Sequence, residues 1–95
     1  MIRRQPTKRG DQVKITFELP ESVGDACVVG DFNRWSIGAT PLKPRGDVRI
    51  ASLTLATGKR YAFRYVADGV WFNDIDADDW IANDFGETDA IIDLT

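Results

Sequence analysis

The sequence predicts an all-β chain, an immunoglobulin-like antiparallel β-sandwich of about seven short strands. Three observations carry this. Apolar and polar residues alternate with a period of two over most of the chain, turn residues recur about every 8–12 residues, and no segment repeats its apolar positions at helical spacing.

Taken in order, residues 1–10 contain Arg3, Arg4, Lys8 and Arg9 and read as a basic, flexible N-terminal arm, because short charged termini fray unless tied down. Residues 11–95 read as a single sandwich domain. Val13, Ile15, Phe17 and Leu19 alternate with Lys14, Thr16 and Glu18, giving a half-buried strand closed by Pro20. Ala26-Cys27-Val28-Val29 is wholly apolar, as in a strand buried on both faces. Residues 35–42, broken by Gly38 and Pro41, are placed as an edge strand before a turn at Pro44-Arg45-Gly46-Asp47. Val48, Ile50, Leu53 and Leu55 bracket the next strand, and the slip in alternation at Ala51-Ser52 predicts a bulge. After the Thr57-Gly58 turn, Tyr61, Phe63, Tyr65 and Ala67 alternate again. Asp68-Gly69 then signals a hairpin, so residues 70–72 return antiparallel. Residues 73–86 read as a long acidic loop pinned to the sandwich by Trp80, and residues 90–94 as the last strand. The Cys…Trp…Cys spacing of antibody domains is absent, so the architecture alone is implied.

With 95 residues, 43% of them hydrophobic and 28% charged, the chain suits one soluble domain. No apolar run nears the ~20 residues of a membrane helix, and the start lacks the apolar stretch of a secretory signal. The cytoplasm is therefore the expected compartment. The single cysteine, Cys27, reads as a buried core thiol. The net charge of −3 is unevenly spread: bases crowd the first fourteen residues, whereas the chain from Gly69 onward has eight acids and no base. A basic arm invites an anionic surface or nucleic acid, but the overall acidity opposes nucleic-acid binding, which needs a concentrated basic face.

Catalysis is not expected. Without histidine, the usual nucleophile–base pairs are excluded. Asp74, Asp76, Asp78 and Asp79 cluster on one segment and read as a solvated loop, not as carboxyls facing each other across a cleft. That segment begins like a calcium loop, then puts Asp79 where glycine is required and Phe85 where the bidentate glutamate belongs. No metal and no cofactor is implied.

The aromatic residues point elsewhere. Gly30-Asp31-Phe32-Asn33-Arg34-Trp35 is answered by Asp68-Gly69-Val70-Trp71, each placing a tryptophan beside turn residues at the end of an apolar run. Two flat rings near the surface form a stacking platform suited to a pyranose, whose C–H face is apolar and whose hydroxyl rim needs polar partners. Arg64, Asn83, Glu87 and Asp89 are candidates for that rim. Phe17, Phe32 and Phe63 are assigned to the core, and Tyr65 is left open.

The residues 29–35, then Tyr61-Ala62-Phe63-Arg64-Tyr65-Val66-Ala67-Asp68-Gly69-Val70-Trp71, then Asn83-Asp84-Phe85-Gly86 before a last strand, resemble carbohydrate-binding module family 48. These are early-set sandwiches found at the front of glycogen-branching and debranching enzymes and in the AMP-activated kinase beta subunit. The resemblance covers residues 13–94. It implies noncatalytic binding of an α-glucan, with Trp35 and Trp71 stacking on glucose units and Arg64 in place of a lysine that bonds sugar hydroxyls. It also implies that Phe85 replaces an inserting leucine, Glu87 a threonine and Asp89 an asparagine. The two acids depart from the family pattern, since they accept hydrogen bonds but cannot donate them. The alternative expectation is a protein-interaction module that docks on a separate glycogen-metabolising enzyme or kinase, with the tryptophans as anchors.

Overall fold

A computed structural model describes residues 1–95 as two antiparallel sheets packed face to face. The strands are β1 (Ile2–Pro6), β2 (Gln12–Pro20), β3 (Ala26–Gly30), β4 (Lys43–Arg45), β5 (Val48–Ala56), β6 (Arg60–Ala67), β7 (Val70–Phe72), β8 (Asp79–Ala82) and β9 (Thr88–Asp93). One sheet runs β1-β2-β5-β4 and the other β3-β6-β9-β8, with β7 also on β6. Without β7 and β8, this is the strand order of a constant-type immunoglobulin sandwich. The two extra strands lie between the last two framework strands, which brings the total to nine.

Period-two alternation builds the core. Ile15, Phe17 and Leu19 from β2 meet Val28, Phe63, Tyr65 and Ile92 from the facing sheet, all buried. Phe17 sits 5.2 Å from Phe63 and 5.7 Å from Phe32, ring centre to ring centre, so Phe17 and Phe63 lie in the core and Phe32 packs against it. Tyr65 belongs to the core as well. Its hydroxyl donates to Asp74 Oδ2 at 2.6 Å, and burial followed by that carboxylate pushes its pKa far up. Tyr61, at the start of β6, donates its hydroxyl to the Ala56 carbonyl at 2.8 Å. This is the tyrosine corner of immunoglobulin-like sandwiches, which ties the β5–β6 connection to the core.

Several segments differ from the sequence expectation. Residues 2–6, within the stretch read as an N-terminal arm, form edge strand β1, in register with β2 from Ile2↔Phe17 to Pro6↔Val13. Its sequence shows no alternation, and it is held instead by backbone pairing, by Ile2 against the core, and by ion pairs of Arg3 with Glu18 and of Arg4 with Asp78. Residues 35–42 form turns with a single bridge, Cys27↔Pro41, and the short edge strand falls at β4. No bulge interrupts β5, whose register with β2 is unbroken from Gln12↔Ala56 to Pro20↔Val48. Val48 and Ile50 simply take the outward face, half-buried.

The acidic loop is not merely solvated. Asp79–Ala82 is strand β8 on the edge of the second sheet, so Trp80 stands on a strand, about half exposed. Asp74 has a side chain 2% exposed and accepts from Tyr65 and from the Met1 amino group. Asp79 pairs with Arg60 at 2.7 Å. Part of the charge asymmetry is thus consumed within the fold, base against acid. No helix is long and apolar enough to cross a membrane.

Candidate functional site

The outward face of the second sheet is the unusual one. Pairing puts Cys27 and Val29 of β3 beside Val66 and Arg64 of β6, and Val66 beside Trp71 of β7, all on the side away from the core. Cys27, Val29 and Val66 are buried there, covered by Trp35.

The segment after β3 places that ring. At Gly30 a Cβ would come within 2.5 Å of the Ala62 carbonyl oxygen, so only glycine lets β3 run this close to β6. Asn33 then fastens the turn: its Oδ1 accepts from the Gly30 N–H at 3.0 Å, and its Nδ2 donates to the Val28 carbonyl at 3.0 Å and to Thr40 Oγ1 at 3.1 Å. Arg34 and Trp35 are both left-handed, with φ of 57°. This conformation costs roughly 1–2 kcal/mol per residue without glycine, and it folds the indole back over Val29. Asp31 completes the arrangement, with Oδ1 accepting from Trp35 Nε1–H at 2.9 Å and Oδ2 from the Ala62 N–H at 2.8 Å.

The second ring follows from the hairpin. Asp68 and Gly69 have φ of 52° and 77°, as a type I′ turn requires, and β7 returns antiparallel as the sequence predicts. Trp71 is 38% exposed, and the Arg64 guanidinium carbon lies 5.8 Å from its ring centre, within cation–π range. Arg64 occupies a notch where β6 stops pairing with β9 and starts pairing with β7. Its Nε donates to Asn73 Oδ1 at 3.2 Å and its Nη1 pairs with Glu87, which leaves the side chain 11% exposed. Asn73 also donates to the Thr88 carbonyl at 2.9 Å, joining the two partner strands of β6.

The loop between β8 and β9 supplies the third wall. Asn83 Oδ1 accepts from the Phe85 N–H at 2.9 Å and the Glu87 N–H at 3.1 Å, while its Nδ2 donates to Asp89 at 3.0 Å. Phe85 is thereby presented at the tip, 89% exposed.

These walls enclose an open pocket of about 640 Å³. All seven sequence-predicted site residues, Trp35, Arg64, Trp71, Asn83, Phe85, Glu87 and Asp89, line it, together with Asp31, Ala62 and Asp84. The structure redistributes their tasks. The Asn83 amide is committed to shaping its own loop, and Arg64 and Glu87 are committed to each other. Asp31 and Asn73 are the residues that sequence reasoning passed over. Asp31 lies inside the first tryptophan motif, four residues before Trp35, a spacing that could have marked it. Asn73 carries no local signal, because its role arises only where two strands meet β6. No group of acids is placed to hold a metal ion. Neither a scan against protein-family models nor a search of curated proteins finds a match to the sequence.

Proposed function

We propose that the protein is a noncatalytic binding module for α-glucan, such as glycogen or a maltooligosaccharide, of the carbohydrate-binding module family 48 type. The observation that carries this reading is the convergence of Trp35, Trp71 and Phe85 on one pocket on the outer face of the sandwich. The volume of the pocket lies in the range of small-ligand sites. Trp35 and Trp71 stack on sugar rings, Phe85 gives an apolar edge, and the free N–H groups of Arg64 and the oxygens of Asp89 meet hydroxyls. Stacking on an aromatic ring is worth ~1–3 kcal/mol by analogy with bases. Two stacks, less the association cost, give roughly micromolar-to-millimolar affinity. This reading places the protein in the cytoplasm, beside stored glucan and the enzymes that act on it.

Calorimetry with glycogen, maltoheptaose and β-cyclodextrin tests the proposal, with cellohexaose as the β-linked control. Saturable binding of the α-linked sugars alone, lost in Trp71→Ala, is the expected result. No heat at millimolar sugar would overturn it. That outcome would favour the second reading, a protein-docking module, for which the exposed Phe85 and Trp71 are suitable anchors.

A further inference from the structure

We propose that the pocket selects sugars by charge, with Asp84 and Asp89 as the selectivity residues, favouring amino-substituted over neutral glucan and rejecting phosphorylated glucan. The inference rests on the glucan reading and deepens it.

Four carboxylates line the pocket, those of Asp31, Asp84, Glu87 and Asp89, against one cation, Arg64. The cation is already spent on Glu87, whose carboxylate pairs with its guanidinium. The other three acids face no cation. Asp31 accepts only the neutral N–H groups of Trp35 and Ala62, and Asp89 only the Asn83 amide, whereas Asp84 makes no hydrogen bond or ion pair at all. The rest of the lining includes the aromatic rings of Trp35, Trp71 and Phe85. Indole faces carry negative quadrupole density, so they add to the attraction for a cation and give an anion nothing.

A neutral glucose unit stacks and bonds through its hydroxyls without sensing this field strongly. An anion on the same ring must approach uncompensated carboxylates in a partly enclosed space, where repulsion is less screened than in bulk solvent. A primary ammonium on the ring meets the carboxylates of Asp84 and Asp89, neither of which is paired with a cation, and donates hydrogen bonds to them. Exposed charge pairs are individually weak, so each step in the series is worth about fivefold in affinity at low ionic strength, not orders of magnitude.

β-Cyclodextrin, its 6-amino-6-deoxy derivative and its 6-phosphate, substituted on every glucose, present one ring at three charges. The experiment measures their dissociation constants by calorimetry at 50 mM and 1 M salt, for the wild type and for Asp84→Asn/Asp89→Asn. The asparagine at position 89 keeps an acceptor for Asn83, so the loop is retained. The expected order for the wild type at low salt is amine tighter than neutral and neutral tighter than phosphate. The spread should shrink to about twofold in the double variant and at 1 M salt, each charged derivative being compared with the neutral ring in the same protein and at the same salt. A phosphate derivative that binds as well as the neutral ring overturns the selectivity alone. An order that persists unchanged in the double variant does the same, because it then reflects the bulk of the substituents. Failure of the wild type to bind neutral β-cyclodextrin overturns the glucan reading and the selectivity together.

Discussion

Replacing Asp31 by alanine separates the stacking ring from the carboxylate that aims it. The substitution removes two hydrogen bonds at once, from the Trp35 indole at 2.9 Å and from the Ala62 backbone at 2.8 Å. Hydrogen bonds to a charged acceptor contribute ~1.5–3 kcal/mol each when sheltered. Asp31 is exposed, so the pair together is placed at about 2 kcal/mol. In a domain of this size that lowers the melting temperature by about 10 °C. Binding suffers separately, because a ligand must then order a loose indole, at a cost of about 0.5–1.5 kcal/mol or roughly 2- to 12-fold in affinity. Asp31→Asn should fall between, since the two donors meet different carboxylate oxygens and the amide nitrogen that replaces one of them cannot accept. Thermal melts read the first effect and calorimetry with maltoheptaose the second. Wild-type affinity in a destabilised Asp31→Ala protein would refute the reasoning, showing that packing on Val29 and Val66 aims the ring unaided.

Three further outcomes follow from the fold. Tyr61→Phe should lower stability by about 1 kcal/mol in chemical denaturation, with sugar binding unchanged, because it removes the hydroxyl bond to Ala56 and touches nothing in the pocket. Tyr65→Phe should destabilise by about 1–3 kcal/mol, since the buried Asp74 carboxylate then loses its shortest donor; an unchanged denaturation midpoint would count against the Asp74 network. Acid unfolding should be sensitive to Asp79, whose carboxyl is held below its ordinary pKa by Arg60 and then by the Trp80 N–H. A lowered pKa in the folded state adds stability above about pH 4 that disappears as pH falls through the folded value. The melting temperature of Asp79→Asn should therefore fall less steeply than that of the wild type between about pH 4 and pH 2, and parallel curves would exclude this contribution.

The sequence was legible wherever local chemistry determines the outcome. The alternation of Ile15, Phe17 and Leu19 fixes β2, and Asp68-Gly69 fixes the β6–β7 hairpin. The pocket was legible because tryptophans beside turns are conspicuous and a sugar rim calls for polar partners such as Arg64, Asn83, Glu87 and Asp89, to which the family resemblance added Phe85. It was illegible where a strand is held by its partners. β1 (Ile-Arg-Arg-Gln-Pro) and β8 (Asp-Trp-Ile-Ala) lack a buried face and exist because β2 and β9 offer edges and Arg4, Asp78, Arg60 and Asp79 pair around them. The pairing of Arg64 with Glu87 was hidden for the same reason, as both had been assigned to sugar and only their positions in space assign them to each other.

Strand β6 carries two messages in interleaved frames. Residues 61, 63 and 65 point inward and hold the sandwich together, whereas 62, 64 and 66 point outward, Ala62 and Arg64 lining the pocket and Val66 supporting Trp35. Substitutions in the outward frame can retune recognition while leaving the inward frame intact, so a lineage built on this strand can change ligand without refolding. A one-residue insertion or deletion inside β6 is a different event. It exchanges the frames, driving Arg64 toward the core and Tyr65 into solvent. The reading frame of the strand is therefore guarded more tightly than any single residue in it, and the type I′ turn at Asp68-Gly69 and the Tyr61 corner are the stops that keep it in place.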